Sequence, residues 1–361
     1  MKRVFTLCLA LVMVLSLAAC GSPSVGTPDA SAPTSPASAP TDGTDAPAPG
    51  ENVGIKKIAV SYAGSLGDKT YNDTLHAAIT DLSQKYGFTF DYAEPIDPAQ
   101  YEPVLRGFAD AGDYQLIVCL GFSQGSSMEA VAPNYPDQKF VLIDATVEGM
   151  DNVACYSWRE NEVSYLVGIM AGYLTKTKTI GFIGAFDIYN CNMNAAGFIA
   201  GAQSVDPEIK LLVDYVGDWY DSVRCKEMAL AMNQQGADVL YHAASTAGLG
   251  VLEAGKDGGF YTIGFDGNVN AAAPATNFAS SLRLLGKAVE HSIEGILTDN
   301  FESGVISLGA SDDAIDVTTE GSTVELSDEI LNAVEAARKG ISEGSIKVPL
   351  TLDELEASKA S

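Results

Sequence analysis

From residue 55 onward, short and nearly continuous apolar runs alternate with longer stretches in which apolar residues return every three or four positions. The runs predict strands at Lys57–Tyr62, Phe88–Tyr92, Gln115–Leu120, Lys139–Asp144 and Val153–Ser157. A second series follows at Thr179–Gly184, Lys210–Val216, Asp238–Ala243, Phe260–Phe265 and Asn277–Ser281. The intervening stretches predict amphipathic helices, among them Asn72–Tyr86, Glu160–Leu174 and Ser222–Gln235. Strands separated by helices in this way form parallel sheets covered on both faces. The series occurs twice, so the expected class is α/β, with two doubly wound lobes and a ligand cleft between them. In such sheets ligands lie beyond the carboxyl ends of the strands. The segments just after strands are therefore where the chemistry is expected.

The first 54 residues follow a different pattern. Met1-Lys2-Arg3 is a positive start, and Val4 to Leu17 is an apolar run too short to cross a bilayer as a permanent helix. It predicts a secretory signal peptide over residues 1–19. Leu17-Ala18-Ala19-Cys20 resembles the lipobox of bacterial lipoproteins, which implies cleavage before Cys20 and a lipid on its sulfur. Residues 20–54 are dominated by Pro, Ala, Ser, Thr and Gly and cannot bury enough apolar surface to fold. They predict a tether that holds the folded part at the extracytoplasmic face of the cell membrane.

Charge narrows the partners. The chain has 21 Lys and Arg against 47 Asp and Glu, a formal net charge of −26. Of these, only Lys2, Arg3, Asp29, Asp42, Asp45 and Glu51 precede residue 54, so the acidity belongs to the folded part. Polymeric nucleic acid needs clustered positive charge and is excluded. So is electrostatic adsorption to an anionic membrane surface. With three histidines and no C-x-x-C spacing, neither a metal nor a cofactor is implied. Cys119 and Cys155 fall in strand-like runs as buried thiols, whereas Cys191 and Cys225 are a possible disulfide in an exported protein.

Five segments after strands carry candidate chemistry. Gly64-Ser65-Leu66-Gly67-Asp68-Lys69-Thr70-Tyr71-Asn72-Asp73 follows the first strand; Asp68 and Asn72 suit helix capping, and Tyr71 offers a ring for stacking. Gly121-Phe122-Ser123-Gln124-Gly125 matches the G-x-S-x-G nucleophile elbow, with Asp144 or Asp266 and His242 or His291 as conceivable triad partners. It falls after only three strands, no HGGG-like oxyanion segment precedes it, and capping explains Ser123. A surface serine hydrolase is thus the weaker alternative, and no enzyme activity is expected. Ala247-Gly248-Leu249-Gly250 reads as a tight turn with backbone N–H groups facing the cleft. Trp219, in Gly217-Asp218-Trp219-Tyr220, is a second ring, and Asp266 ends the strand Phe260–Phe265 where a carboxylate would enter the cleft.

Together these segments resemble the basic membrane protein family of ABC-transporter substrate-binding lipoproteins, whose characterised members bind purine nucleosides. Gly67-Asp68-Lys69-Thr70-Tyr71-Asn72-Asp73 is similar to that family's GDKSFN(D) segment, with Tyr for Phe. Gly121-Phe122 and Val131-Ala132-Pro133-Asn134-Tyr135-Pro136-Asp137-Gln138-Lys139-Phe140 resemble GF…VAxxYPDxxF. Glu162-Val163-Ser164-Tyr165-Leu166-Val167-Gly168 resembles ExSYLAG, and Gly197–Ala202, Gly236–Val239 and Ile263–Asp266 also fit.

The resemblance implies a type I periplasmic-binding-protein fold, with two Rossmann-like lobes joined by a hinge. Its lobes are expected at 55–157 plus 267–300 and at 158–266 plus 301–348, with a C-terminal tail at 349–361. It implies a monomer that delivers ligand to an ABC permease. In it, Tyr71 and Trp219 would sandwich a base, Asp68 and Asn72 would bond polar groups, and Gly248 would offer its backbone. Asp266 would hold the ribose hydroxyls. Two positions depart from the family: Asp266-Gly267-Asn268-Val269 replaces D-x-D-Q, and Arg283 in Ser280-Ser281-Leu282-Arg283 replaces a ligand-facing lysine. A forked cation there alters what the cleft selects. A sugar or signalling-molecule receptor of the same fold is the alternative.

Overall fold

The structure, a computed structural model, describes residues 54–68 and 71–359. The expected signal peptide, Cys20 anchor and tether lie outside the described residues, apart from Gly54. Two six-stranded sheets carry the fold. The first holds β1 (Lys57–Ser61), β2 (Thr89–Ala93), β3 (Leu116–Leu120), β4 (Lys139–Ile143), β5 (Val153–Trp158) and β11 (Gly304–Leu308). The second holds β6 (Thr179–Gly184), β7 (Lys210–Tyr215), β8 (Val239–Ala243), β9 (Tyr261–Phe265), β10 (Asn277–Arg283) and β12 (Ile315–Thr318). Strand order is β11-β5-β4-β3-β1-β2 in one and β12-β10-β9-β8-β6-β7 in the other, the same arrangement built twice. All pairs are parallel except β10 with β12. The central strands β3 and β8 are buried at every residue, as helices on both faces require.

The ten strands expected from the apolar runs are all present, within a residue or two. The expected partition of the C-terminal third needs correction. Residues 277–283 do not join the first lobe: as β10 they run parallel beside β9 and complete the second sheet. The chain then crosses at Leu284–Leu285, and α8 (Gly286–Leu297) lies in the first lobe against α1 (Tyr71–Tyr86), where Lys85 meets Glu290 at 2.5 Å. β11 adds to the first sheet beside β5 before the chain returns to the second lobe with β12 and α9 (Asp328–Ser342). Residues 349–361, expected as a tail, include the helix α10 (Leu352–Lys359), which buries Leu355.

The second lobe is stiffened by α4 (Glu160–Leu174) crossing α5 (Tyr189–Val205). The crossing is at backbone contact. A Cβ on Gly168 would sit 2.2 Å from the Phe198 carbonyl oxygen, one on Gly197 2.2 Å from that of Asn161, and one on Gly201 2.0 Å from that of Tyr165. Only glycine permits this approach.

Three crossings join the lobes: Trp158–Arg159, Leu284–Leu285 and the segment after Leu308. The Ala314 carbonyl accepts from the Trp158 indole at 3.1 Å and from the Leu284 N–H at 2.9 Å. The Arg159 guanidinium spans the first and third crossings, bonding Glu162 at 2.7 Å, Asp312 at 3.0 Å and the Ser307 carbonyl at 2.6 Å.

Candidate functional site

The carboxyl ends of both sheets face one another, and Arg283 stands between them as the last residue of β10. Its side chain is 7 % exposed. Nε and Nη2 donate to the two oxygens of Asp266, each at 2.5 Å, in a bidentate fork. Nη1 reaches across to Asp144 in the first lobe at 2.9 and 3.1 Å, and to Glu160 at 3.0 Å. The guanidinium carbon is 5.7 Å from the ring centroids of both Tyr71 and Trp158, within the range of cation–π attraction. The Tyr71 hydroxyl donates to Asp144 at 2.5 Å. A cation thus occupies a slot with aromatic walls and three carboxylates.

The chain places these groups by one device used twice. Asp144 follows β4 and Asp266 follows β9, equivalent strands of the two sheets, and both adopt positive φ, 63° and 67°. Such backbone is sparsely populated for residues other than glycine and clusters at functional sites. It turns each carboxylate out of its strand and into the cleft.

The electrostatics follow from burial. Burial disfavours the Arg283 charge, but Asp144, Asp266 and Glu160 outweigh that and hold it protonated well above its ordinary value. Burial also raises Glu160 to about 7 despite the neighbouring guanidinium, since Asp266 and Asp144 oppose its ionisation. The Tyr71 phenol is pushed up by burial and by Asp144. One guanidinium does not balance three carboxylates.

Of the residues expected from sequence, Tyr71, Asp266 and Arg283 come together here. Asp68 and Asn72 lie beside them and bond each other: the Asp68 carboxylate accepts from the Asn72 N–H and side-chain amide at 2.9 and 3.0 Å, and Asn72 Oδ1 accepts from Ala63 N–H at 3.0 Å. They brace the turn into α1. Trp219 and Gly248 form a separate patch on the second lobe. Trp219 packs on Phe186 at 5.5 Å, and its carbonyl accepts from Ala247 N–H at 2.8 Å. Gly248 closes on the buried imidazole of His242, where a Cβ would sit 1.9 Å from Nδ1. No ring contact joins Tyr71 to Trp219 among the described residues.

Other expectations resolve differently. Ser123 lies in a single 3-10 turn, Phe122–Gln124, with no histidine bonded to it. His76 is bound to Tyr62, His291 to Tyr156, and His242 is buried without a hydrogen-bond partner, pushed down to about 3 by burial. The possible Cys191–Cys225 disulfide is corrected: both are free thiols buried in one apolar cluster of the second lobe, and Cys191 Sγ donates to the Ala243 carbonyl at 3.5 Å. Sequence reasoning missed Trp158 and Glu160 and weighed Asp144 only as a hydrolase acid. The repeat of an apolar strand ending in Asp, Ile143-Asp144 and Phe265-Asp266, was the available signal.

Comparison with known proteins bears on this site. The model of the family described as "ABC transporter substrate-binding protein PnrA-like" matches residues 55–350. A protein named ABC transporter nucleoside-binding protein BmpA, from Lactococcus lactis subsp. cremoris, is 27 % identical over 317 residues, covering 82 % of this chain and 89 % of its own length. An uncharacterized lipoprotein of Pyrococcus abyssi is 29 % identical over 274 residues, 72 % of this chain and 68 % of the relative. Among solved structures, an ABC transporter solute-binding protein from Aeropyrum pernix K1 superposes with a TM-score of 0.69 at 26 % identity, over 84 % of this chain and 96 % of that one.

Proposed function

The chain belongs to the family of PnrA-like ABC transporter substrate-binding proteins, and we propose that it captures a purine nucleoside between its lobes and delivers it to an ABC permease. The observation that carries this reading is the gathering of Tyr71, Asp266 and Arg283 at the carboxyl ends of the two sheets, with Trp219 on the second lobe. Tyr71 and Trp219 would flank the base. Asp266, aimed by its fork to Arg283, retains lone pairs for the ribose hydroxyls. Asp68 and Asn72 set the height of Tyr71 and bond ligand polar groups, and Gly248 contributes backbone.

No bond is broken in this scheme. Ligand contacts with both lobes favour the closed arrangement over the open one, and that difference is the binding energy available for capture. The named nucleoside-binding relative in Lactococcus supports the ligand class. The lipoprotein relative in Pyrococcus and the Leu17–Cys20 segment support a lipid on Cys20 and an extracytoplasmic membrane location. Among the described residues no helix is long and apolar enough to cross a membrane, so the lipid would be the attachment.

Isothermal titration of the protein with inosine, guanosine and adenosine tests the reading. Affinity of roughly 1 µM or tighter, about −8 kcal/mol, is expected for at least one. Absence of heat with all three overturns the ligand assignment. Ribose binding as tightly as any nucleoside would replace it with a sugar receptor.

A further inference from the structure

A cavity of about 480 Å³ is lined by Asp144, Trp158 and Glu160 and, across the cleft, by Tyr189, Asn190 and Met193 of α5. The twofold likeness of the sheets explains its place. β1 and β6 are equivalent strands, and the helix after each opens on the same dipeptide, Tyr71-Asn72 on α1 and Tyr189-Asn190 on α5. The first pair meets the second lobe's Arg283 and Asp266. The second pair faces the first lobe's Asp144 and Trp158. The cleft therefore has two halves.

The second half is built to receive something. Tyr189 is 56 % exposed, and neither its hydroxyl nor the Asn190 side chain is hydrogen-bonded to a described residue. Its Tyr71 counterpart, by contrast, is fully engaged with Asp144. Of its charged lining, Asp144 and Glu160 are acidic and Arg159 is basic, and the acids share the guanidinium of Arg283 with Asp266. Arg159 is committed to Glu162 and Asp312. The surroundings therefore hold more carboxylates than guanidiniums, so an anion meets repulsion and a cation is attracted.

The occupant is organic rather than a metal ion. Among the described residues no three carboxylate, imidazole or thiolate groups converge for metal coordination. The volume far exceeds an ion, and the Trp158 and Tyr189 rings with the Met193 thioether offer surfaces suited to a flat or apolar body.

We propose that this cavity is a second subsite of the cleft, taking a protonated amine or amidinium group carried on a small flat or apolar body. The inference rests on the cleft being a ligand site, not on the ligand being a nucleoside.

Three probes of one shape and different charge test it on the whole protein: benzamidine, benzamide and benzoate, followed by calorimetry and thermal unfolding. Benzamidine is expected to bind at least roughly tenfold more tightly than benzamide and to raise the unfolding temperature, while benzoate gives no heat. Tyr189→Ala and Asn190→Ala, both changed at the cavity alone, are expected to weaken benzamidine several-fold while inosine affinity and the unfolding temperature stay as in the parent. Absence of benzamidine binding up to millimolar concentration overturns the proposal. So does equal binding of benzamide or benzoate, or benzamidine affinity indifferent to both variants. Heat with any of the three nucleosides but none with benzamidine removes this subsite and leaves the nucleoside reading standing; heat with benzamidine but with none of the three upholds the subsite and removes the nucleoside.

Discussion

Replacing Arg283 by Met strands three carboxylates around a shorter, apolar chain. In the parent, Asp266 receives two hydrogen bonds at 2.5 Å, Asp144 two at 2.9 and 3.1 Å, and Glu160 one at 3.0 Å, all from this one guanidinium. Removing one partner of a buried ion pair costs about 3–5 kcal/mol, because the charges left behind remain desolvated. For a folded part of this size that corresponds to roughly 6–10 °C in unfolding temperature at about 2 °C per kcal/mol. The loss carries a pH signature. Without the guanidinium the carboxylates take up protons more readily, so Arg283→Met is most destabilised at pH 8 and recovers toward pH 5. Glu160 already points this way in the parent: its folded pKa of about 7 lies above the ordinary carboxylate value of 4.5, so its ionisation removes stability as pH rises from 4.5 through 7. Adding Glu160→Gln to Arg283→Met should restore part of the loss. Thermal unfolding of the parent, Met and double variants from pH 5 to 8 measures this. A Met variant as stable as the parent at pH 8 would refute the view of Arg283 as the counter-ion that makes the cluster possible.

Further outcomes follow from individual contacts. His242 is held neutral with a folded pKa of about 3 against 6.5, so it contributes stability above pH 6.5 that is lost as pH falls toward 3; His242→Leu should flatten that limb of an acid-unfolding curve. Gly201→Ala drives a methyl to 2.0 Å from the Tyr165 carbonyl oxygen, between two helices that cannot part, and should cost at least about 1–3 kcal/mol in denaturant unfolding. Gly107→Ala, inside α2 (Tyr101–Ala111), meets nothing within 4 Å and should instead gain about 0.5–1 kcal/mol. Cys119, Cys155, Cys191 and Cys225 are buried free thiols raised by that burial, so native protein should resist an alkylating reagent at all four until it unfolds.

The doubly wound lobes were legible because central parallel strands are buried at every position and nearly all apolar, as in β3 and, His242 apart, in β8. The edge strands β11 and β12 were not, since Gly304–Leu308 is only alternately buried and Ile315–Thr318 sits in an acidic segment. The point at which the chain changes lobes, Leu284–Leu285, bears no local mark. It depends on β10 finding the free edge of β9. In the site, the expected residues Tyr71, Asp266 and Arg283 come together, whereas Asp144, Trp158 and Glu160 beside them were not expected there. That Arg283 binds Asp144 follows from how two lobes face each other, which no periodicity along the chain encodes. Trp158 and Glu160 lie at a crossing and look, in sequence, like the end of a strand and the start of a helix.

The Ala314 carbonyl and the Arg159 side chain have a mechanical consequence. Three separate connections would ordinarily allow bending, twisting and sliding of one lobe on the other. Here the first and second are pinned to one oxygen on the third, and the first and third share one guanidinium. The connections can then flex only together, as the spine of a book does. That leaves a single dominant angle along which the pages separate. Opening along that one coordinate would part Arg283 from Asp144, the contact that joins the lobes, and closing would restore it in the same alignment.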